Sequence, residues 1–251
     1  MSDHDVILYG NDEAMLCRHV VTFLAKPIRS GNAAIVIASP QHERAFVDGL
    51  CAVGIDPFSD ELRDRLIFLN AYEAIDALMV DGTIQQTRFD RLIGTRVTSL
   101  WRNYEVYAYG EMDGILRDAK KLDDAAKLER LWCALLEQLP FHLLCGYPVD
   151  VLSTEFNPEG IDSILCSHTR LISAIDGFSP TLQAGILQAN DAENRHAIKG
   201  SIPDVMQSFR TEWALLPEAE ATLLWLREHI PDHADEIIDY ASARFDTVNE
   251  A

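Results

Sequence analysis

Five short apolar runs divide the first 150 residues: Val6–Tyr9, Ala34–Ala38, Leu66–Asn70, Glu105–Tyr109 and Phe141–Gly146. Each is too short to be a helix of its own. Each is rich in Val, Ile, Leu, Phe or Tyr, as expected of a strand covered on both faces. Helical patterns separate them. Asp12 to Ser30 places Met15, Leu16, His19, Val20, Phe23 and Leu24 on roughly one face. Asn11 or Asp12 can cap its start, and Gly31 can end it. Ser39-Pro40 opens a second helix, with Ser39 as cap, that runs through Phe46 and Leu50 towards Gly54. Ala71 to Met79, Thr87 to Trp101 and Asp124 to Leu139 supply three more. Strands that alternate with helices require right-handed crossovers. The fold class is therefore α/β, a mostly parallel sheet flanked by helices.

Ligands of such sheets bind outside the carboxyl ends of the strands. That rule selects Tyr9-Gly10-Asn11-Asp12, Ser39-Pro40-Gln41, Asn70-Ala71-Tyr72, Tyr109-Gly110-Glu111-Met112 and Cys145-Gly146-Tyr147-Pro148. The first of these turns is where many α/β proteins cradle a phosphate. Here Gly10-Asn11-Asp12-Glu13 contains two acids and no lysine, and Gly-x-x-x-x-Gly-Lys-[Ser/Thr] occurs nowhere in the chain. Asp12 and Glu13 would repel a phosphate while favouring the helix N-terminus itself. Two readings stay open: a plain acidic cap, or a pocket for something other than a nucleotide lined by Tyr9, Asn11 and Asp12. Glu111 follows the fourth strand, where nucleotide hydrolases often place a water-orienting carboxylate; without a lysine at the first turn it is either a remnant of that role or a hydrogen-bonding anchor in a pocket.

After residue 152 the pattern changes. Pro158-Glu159-Gly160 precedes a helix expected from Ile161 to about Ile175, and a looser stretch runs from Asp176 to Pro203. The tail reads as helices broken at Pro217 and Pro231. Residues 201–251 hold 11 acids and 3 bases, yet also Phe209, Trp213, Trp225, Ile237, Ile238 and Phe245. An acidic amphipathic tail should pack on something. The expected organisation is a domain over 1–176, a linker over 177–203 and an acidic helical extension over 204–251.

The chain has 21 basic and 40 acidic residues, a formal net charge of −19. Phosphate backbones and anionic membranes both select for the opposite balance, so no direct nucleic-acid or membrane partner is expected. No run is long enough for an apolar span, and the acidic N-terminus lacks the blocks of a signal peptide. Five cysteines without a CxxC pair fit a cytoplasmic protein with reduced thiols. Cys166-Ser167-His168 could offer two metal ligands, but no second pair stands nearby. We expect no metal, no cofactor and no catalytic residue.

Four stretches together resemble a known family: HDVILYGNDEAML, SGNAAIVIASPQHERAFVDGLCAVGID, YEVYAYGEMDGIL with AKLERLWCALLEQLPFHLLCGYP, and ILCSHTRLI. They are similar to the MEDS domain, the sensory domain of methanogens, methylotrophs and the dichloromethane-responsive repressor. The matching positions are His4, Tyr9, Asn11-Asp12-Glu13, Gly110-Glu111-Met112, Leu128-Glu129 with Trp132, and Pro140-Phe141 through Cys145 and Tyr147. The element Cys166-Ser167-His168 is one residue shorter than the family pattern. The resemblance covers about residues 4–174. It implies a RecA- or KaiC-like core that has lost its phosphate loop, used for sensing and joined to signalling parts.

The expectation is a non-catalytic sensory module, not an enzyme. A small ligand or protein partner would act on Tyr9, Asn11, Asp12, Glu111, Met112 and Tyr147, and the chain would regulate a kinase or transcription regulator, as a homo-oligomer. Two alternatives stand beside it. One is a divergent nucleotide-binding ATPase-like protein, with Arg18, Lys26 or Arg44 replacing the missing lysine. The other is a structural partner protein that acts through its acidic tail.

Overall fold

The computed structural model describes residues 3–173, 175, 177–192 and 216–249. The chain divides into two units, Met1–Pro148 with Ser167–Thr169, and Val149–Cys166 with Arg170–Ala251. The first unit ends at Pro148, and Ser167–Thr169 belong to it as well.

The first unit is built on five parallel strands: β1 (His4–Leu8), β2 (Ala33–Ala38), β3 (Leu66–Asn70), β6 (Val106–Gly110) and β7 (His142–Tyr147). All five lie where the apolar runs predicted them. They are hydrogen bonded in the order β3-β2-β6-β7-β1. Val36 stands beside Tyr109, Gly110 beside Cys145, and Val6 beside Cys145. Every residue of β1 and β2 is buried, which explains the unbroken apolar run of β2 and the apolar Val6–Leu8 of β1; β1 also buries His4 and Asp5.

Successive side chains of a strand point to opposite faces. On one face, α1 (Glu13–Arg29) and α2 (Pro40–Ala52) cover the sheet, with Phe23 edge-on to Tyr107 and Phe46 edge-on to Tyr109. On the other, Trp132 of α7 (Leu122–Gln138) lies over Gly110, and Tyr147 donates a hydrogen bond to Glu129 of the same helix. The short α6 (Met112–Asp118) packs on α7 and β7.

Local chemistry explains the boundaries. Gly10 adopts φ +53°, which lets the chain turn sharply out of β1. The Asp12 carboxylate then accepts from Met15 N at 2.8 Å and caps α1. Ser39 caps α2 by accepting from His42 N, and Pro40 follows at the first helical position. Asn70 caps α3 (Ala71–Leu78).

Several elements differ from expectation. The helix expected over 87–101 is three pieces, α4 (Gln86–Phe89), a five-residue π segment Asp90–Gly94 and α5 (Thr95–Trp101). A hairpin of β4 (Met79–Val80) and β5 (Thr83–Ile84) turns at Asp81-Gly82, both left-handed. Two-residue strands carry no readable period, but Asp-Gly is a hairpin signal. The helix expected to reach Ile175 spans Pro158–Leu165, and Arg170–Ile172 is a strand.

In the second unit, helices Ser179–Ala192, Glu218–His229 and Pro231–Asn249 are described. The first falls inside the expected linker, so that part of 177–203 is helical. Residues 193–215, with Phe209 and Trp213, lie outside the described residues. Leu223, Leu224, Leu226, Ile237 and Ile238 are buried, as the amphipathic pattern of the tail required. Arg227 donates to the carbonyls of Val151, Leu152 and Phe156, which ties that loop to the helix.

Candidate functional site

The strand order defines where a ligand would sit. From β2 the chain crosses over α2 to β3, on one face; from β6 it crosses over α6 and α7 to β7, on the other. The carboxyl ends of β2 and β6, neighbours in the sheet, therefore form a switch point with a crevice above it. A polar cluster occupies this position.

Glu111 directly follows β6 and is 2% exposed. Its Oε1 accepts from Ser39 N at 2.5 Å. Its Oε2 accepts from the Tyr109 hydroxyl at 2.9 Å and from His42 Nδ1 at 2.5 Å. The other ring nitrogen of His42, Nε2, pairs with the Glu13 carboxylate in the first turn of α1. Tyr9 lies edge-on to the His42 ring, centroids 5.6 Å apart. One imidazole thus links the starts of α1 and α2 to the end of β6. Burial works against a charge on His42, but the hydrogen bond and charge of Glu111, then those of Glu13, outweigh it and raise its pKa. Burial and the Glu111 charge raise the Tyr9 and Tyr109 hydroxyls.

A second cluster lies on the opposite face. His4 at the start of β1, Cys145 of β7, Glu129 of α7 and His168 are all buried, and one ligand atom from each lies within 4.8 Å of the others. His4 Nε2 is 3.4 Å from Glu129 Oε1 and 3.5 Å from Cys145 Sγ. His168 Nε2 is 3.8 Å from Glu129 Oε1. His168 is held beside His4 because Thr169 N donates to His4 O, and His4 N donates to Thr169 Oγ1. The two rings lie 4.1 Å apart. Burial, then His168, lowers the His4 pKa to about 4, against the pull of Glu129. Burial, then Glu129, pushes the Cys145 thiol up.

The residues selected from sequence distribute between these places. Tyr9 and Glu111 meet in the first cluster. Asp12 is the helix cap and Asn11 is exposed. Asp12 Oδ1 takes the Met15 N–H that a phosphate at this helix N-terminus would otherwise take. Met112 is fully buried in the core. Tyr147 turns its hydroxyl to Glu129 Oε2 at 3.1 Å, in the second cluster. Ser39 stands at a strand end that the carboxyl-edge rule selects, but His42 is not selected, nor are His4, Glu129, Cys145 and His168 as a set. Glu129 carried a signal of its own. It falls on the buried stripe Ala125, Leu128, Trp132, where a carboxylate is out of place. A separate cleft of about 350 Å³, lined by residues that include Asp90, Thr98, Arg102 and Gln138, contains no member of either cluster.

A sequence model of the family described as MEDS, the MEthanogen/methylotroph, DcmR Sensory domain, matches residues 3–169. No curated protein and no solved structure matches the chain. No helix among the described residues is long and apolar enough to cross a membrane.

Proposed function

The chain belongs to the MEDS family of sensory domains, and from that membership we propose a non-catalytic sensory module whose small ligand acts at the β2–β6 switch point. One observation carries the reading: His42 joins Glu111, at the end of β6, to Glu13, at the start of α1. A ligand that competes for His42 or Glu13 changes how three elements are held at one point. It shifts a population only as far as it binds one arrangement better than the other.

The chemistry of the cluster restricts the ligand. Two carboxylates face one imidazole, so the cluster carries net negative charge whether or not that ring is protonated, and it includes neither Lys nor Arg. Phosphate esters are disfavoured on electrostatic grounds, and small neutral or cationic compounds with hydrogen-bonding groups are favoured. The module acts in the cytoplasm, as a homo-oligomer, and passes its state to a signalling partner, a kinase or transcription regulator, rather than to nucleic acid directly.

A thermal-shift assay tests this. Bound ligand raises apparent stability by mass action. Short one-carbon and hydrocarbon derivatives are screened beside ATP and GTP with Mg²⁺. The expected result is a shift with a non-phosphate compound that Glu13→Gln abolishes. Glu13 is exposed, and circular dichroism checks that the variant keeps its fold. A nucleotide shift would replace the reading with a divergent nucleotide-binding protein.

A further inference from the structure

We propose that His4, Glu129, Cys145 and His168 form a closed four-ligand site for a divalent transition metal, of which Zn²⁺ is the best match. The site lies on the opposite face of the sheet from the His42 cluster and does not depend on the sensory reading above.

Geometry is the first argument. Metal–nitrogen and metal–oxygen bonds are about 2.0–2.1 Å and metal–sulfur about 2.3 Å; a tetrahedron built from them has edges of roughly 3.3 Å between N or O ligands and roughly 3.6 Å from S to N. The observed separations are 3.4 Å from His4 Nε2 to Glu129 Oε1, 3.5 Å from Cys145 Sγ to His4 Nε2, and 3.8 Å from His168 Nε2 to Glu129 Oε1. No pair exceeds 4.8 Å. The ligand atoms already stand close to coordination spacing.

Hydrogen bonding is the second argument. Glu129 Oε1 is buried and accepts no hydrogen bond, a costly arrangement for a carboxylate oxygen. The outer partners point the set inward. Tyr147 holds Glu129 Oε2, which leaves Oε1 towards the histidines. Ser167 Oγ lies 3.2 Å from His168 Nδ1, which leaves Nε2 towards Glu129. Ligating imidazoles and carboxylates are ordinarily oriented in this way by groups behind them.

Charge and donor type select the ion. A Cys145 thiolate and the Glu129 carboxylate together balance a divalent cation, so the buried complex is neutral. Two imidazoles, one thiolate and one carboxylate at tetrahedral spacing suit Zn²⁺, and Co²⁺ as its spectroscopic substitute. On binding, the Cys145 thiol releases its proton to solvent and the sulfur–metal bond forms. Four protein ligands leave no open position, so the ion fixes β1, β7, α7 and residue 168 together rather than acting on a substrate.

The test uses the full chain. Purified protein is analysed for metal content, stripped with chelator, then reloaded with Zn²⁺ or Co²⁺. We expect one Zn²⁺ or Co²⁺ per chain, the intense visible bands of tetrahedral Co²⁺ and a thiolate-to-cobalt charge-transfer band. Cys145→Ser should remove the charge-transfer band, and Glu129→Gln should weaken binding at least as much as loss of an outer partner does, roughly 10- to 100-fold. His42→Gln should bind normally. Circular dichroism separates an unfolded variant from a folded one that cannot bind, and the metal content of the unaltered protein stands regardless of either. No uptake of either metal by folded, stripped protein overturns the proposal. So does uptake that folded Cys145→Ser and Glu129→Gln retain undiminished, because the ion is then elsewhere.

Discussion

The two polar clusters of the first unit share a sheet and resolve their charge in opposite ways. Around Glu111, three donors converge on one carboxylate, and His42 is favoured in its charged form between two acids. Around Glu129, one carboxylate oxygen accepts nothing, and His4 is held neutral by burial and by a second imidazole. The first cluster is complete without a guest, so its guest must compete with bonds already made. The second has ligand atoms close to coordination spacing and a buried carboxylate oxygen that accepts no hydrogen bond. On the two proposals above, a guest would perturb the first and fill the second.

The largest expected effect comes from Glu111→Ala. It removes the acceptor of Ser39 N, the Tyr109 hydroxyl and His42 at once, and leaves a buried imidazole facing only Glu13. Breaking a buried pair in this way costs about 3–5 kcal/mol. Denaturant unfolding measures it. A loss below about 1 kcal/mol would mean that the cluster is not self-sufficient, and the contrast with Glu129 would collapse.

The pH dependence separates the clusters by sign. The folded-state pKa of His42 is raised, so its contribution is complete below the unfolded value near 6.5 and fades as pH rises through the folded value. The stability difference between the unaltered protein and His42→Gln should therefore shrink on the alkaline side. His4 is lowered from 6.5 to about 4. In chelator-treated protein its neutral form is fully accommodated above 6.5, and stability is lost as pH falls from there to about 4, by about 3 kcal/mol in all. His4→Gln should flatten that acid limb. Chemical denaturation across pH reads both, and limbs of the same sign would refute the contrast.

Gly146→Ala sharpens it sterically. Gly146 follows Cys145 in β7, yet a Cβ there would stand 2.5 Å from the Tyr109 hydroxyl oxygen, on the face of the Glu111 cluster. Overpacking of this kind costs about 1–3 kcal/mol. Denaturation should show that loss while Zn²⁺ affinity stays unchanged, although the altered residue adjoins a ligand.

How far these clusters could be read from sequence follows from what each residue's neighbours reveal. The strands were legible because burial on both faces writes continuous apolar runs such as AAIVIA over Ala33–Ala38. Asp12 was legible as a cap because its partner, Met15 N, is three residues away. His42 was not: in SPQHER it reads as one more polar residue of a first helical turn, and its meaning lies in Glu111, 69 positions later. The four residues of the second cluster share no local spacing, and only parallel pairing of β1 with β7 brings His4 near Cys145. The helix expected through Ile175 also hid His168, since its place beside His4 depends on an extended chain at Thr169. Glu129 on an apolar stripe pointed there from the chain's own pattern, and His4, Glu129 and Cys145 also stand among the positions that resemble the family, but neither signal joins the four residues into one set.

Tyr147→Phe is the smallest change and the most discriminating. Tyr147 ends β7 at the carboxyl edge of the sheet, where ligands of the switch point would approach, but its hydroxyl is committed to Glu129 Oε2. Its ring stays buried in the variant, so stability should fall by only about 0.5–1.5 kcal/mol, the net value of one hydrogen bond. If it orients Glu129 for a metal, the variant should bind Zn²⁺ roughly 10- to 100-fold more weakly while the small-molecule response of the Glu13–His42 rim is unaltered. Competition with a chromophoric chelator measures the first and the thermal-shift panel the second. The reverse outcome, normal metal affinity with a lost response, would move Tyr147 to the sensory site and merge the two clusters into one.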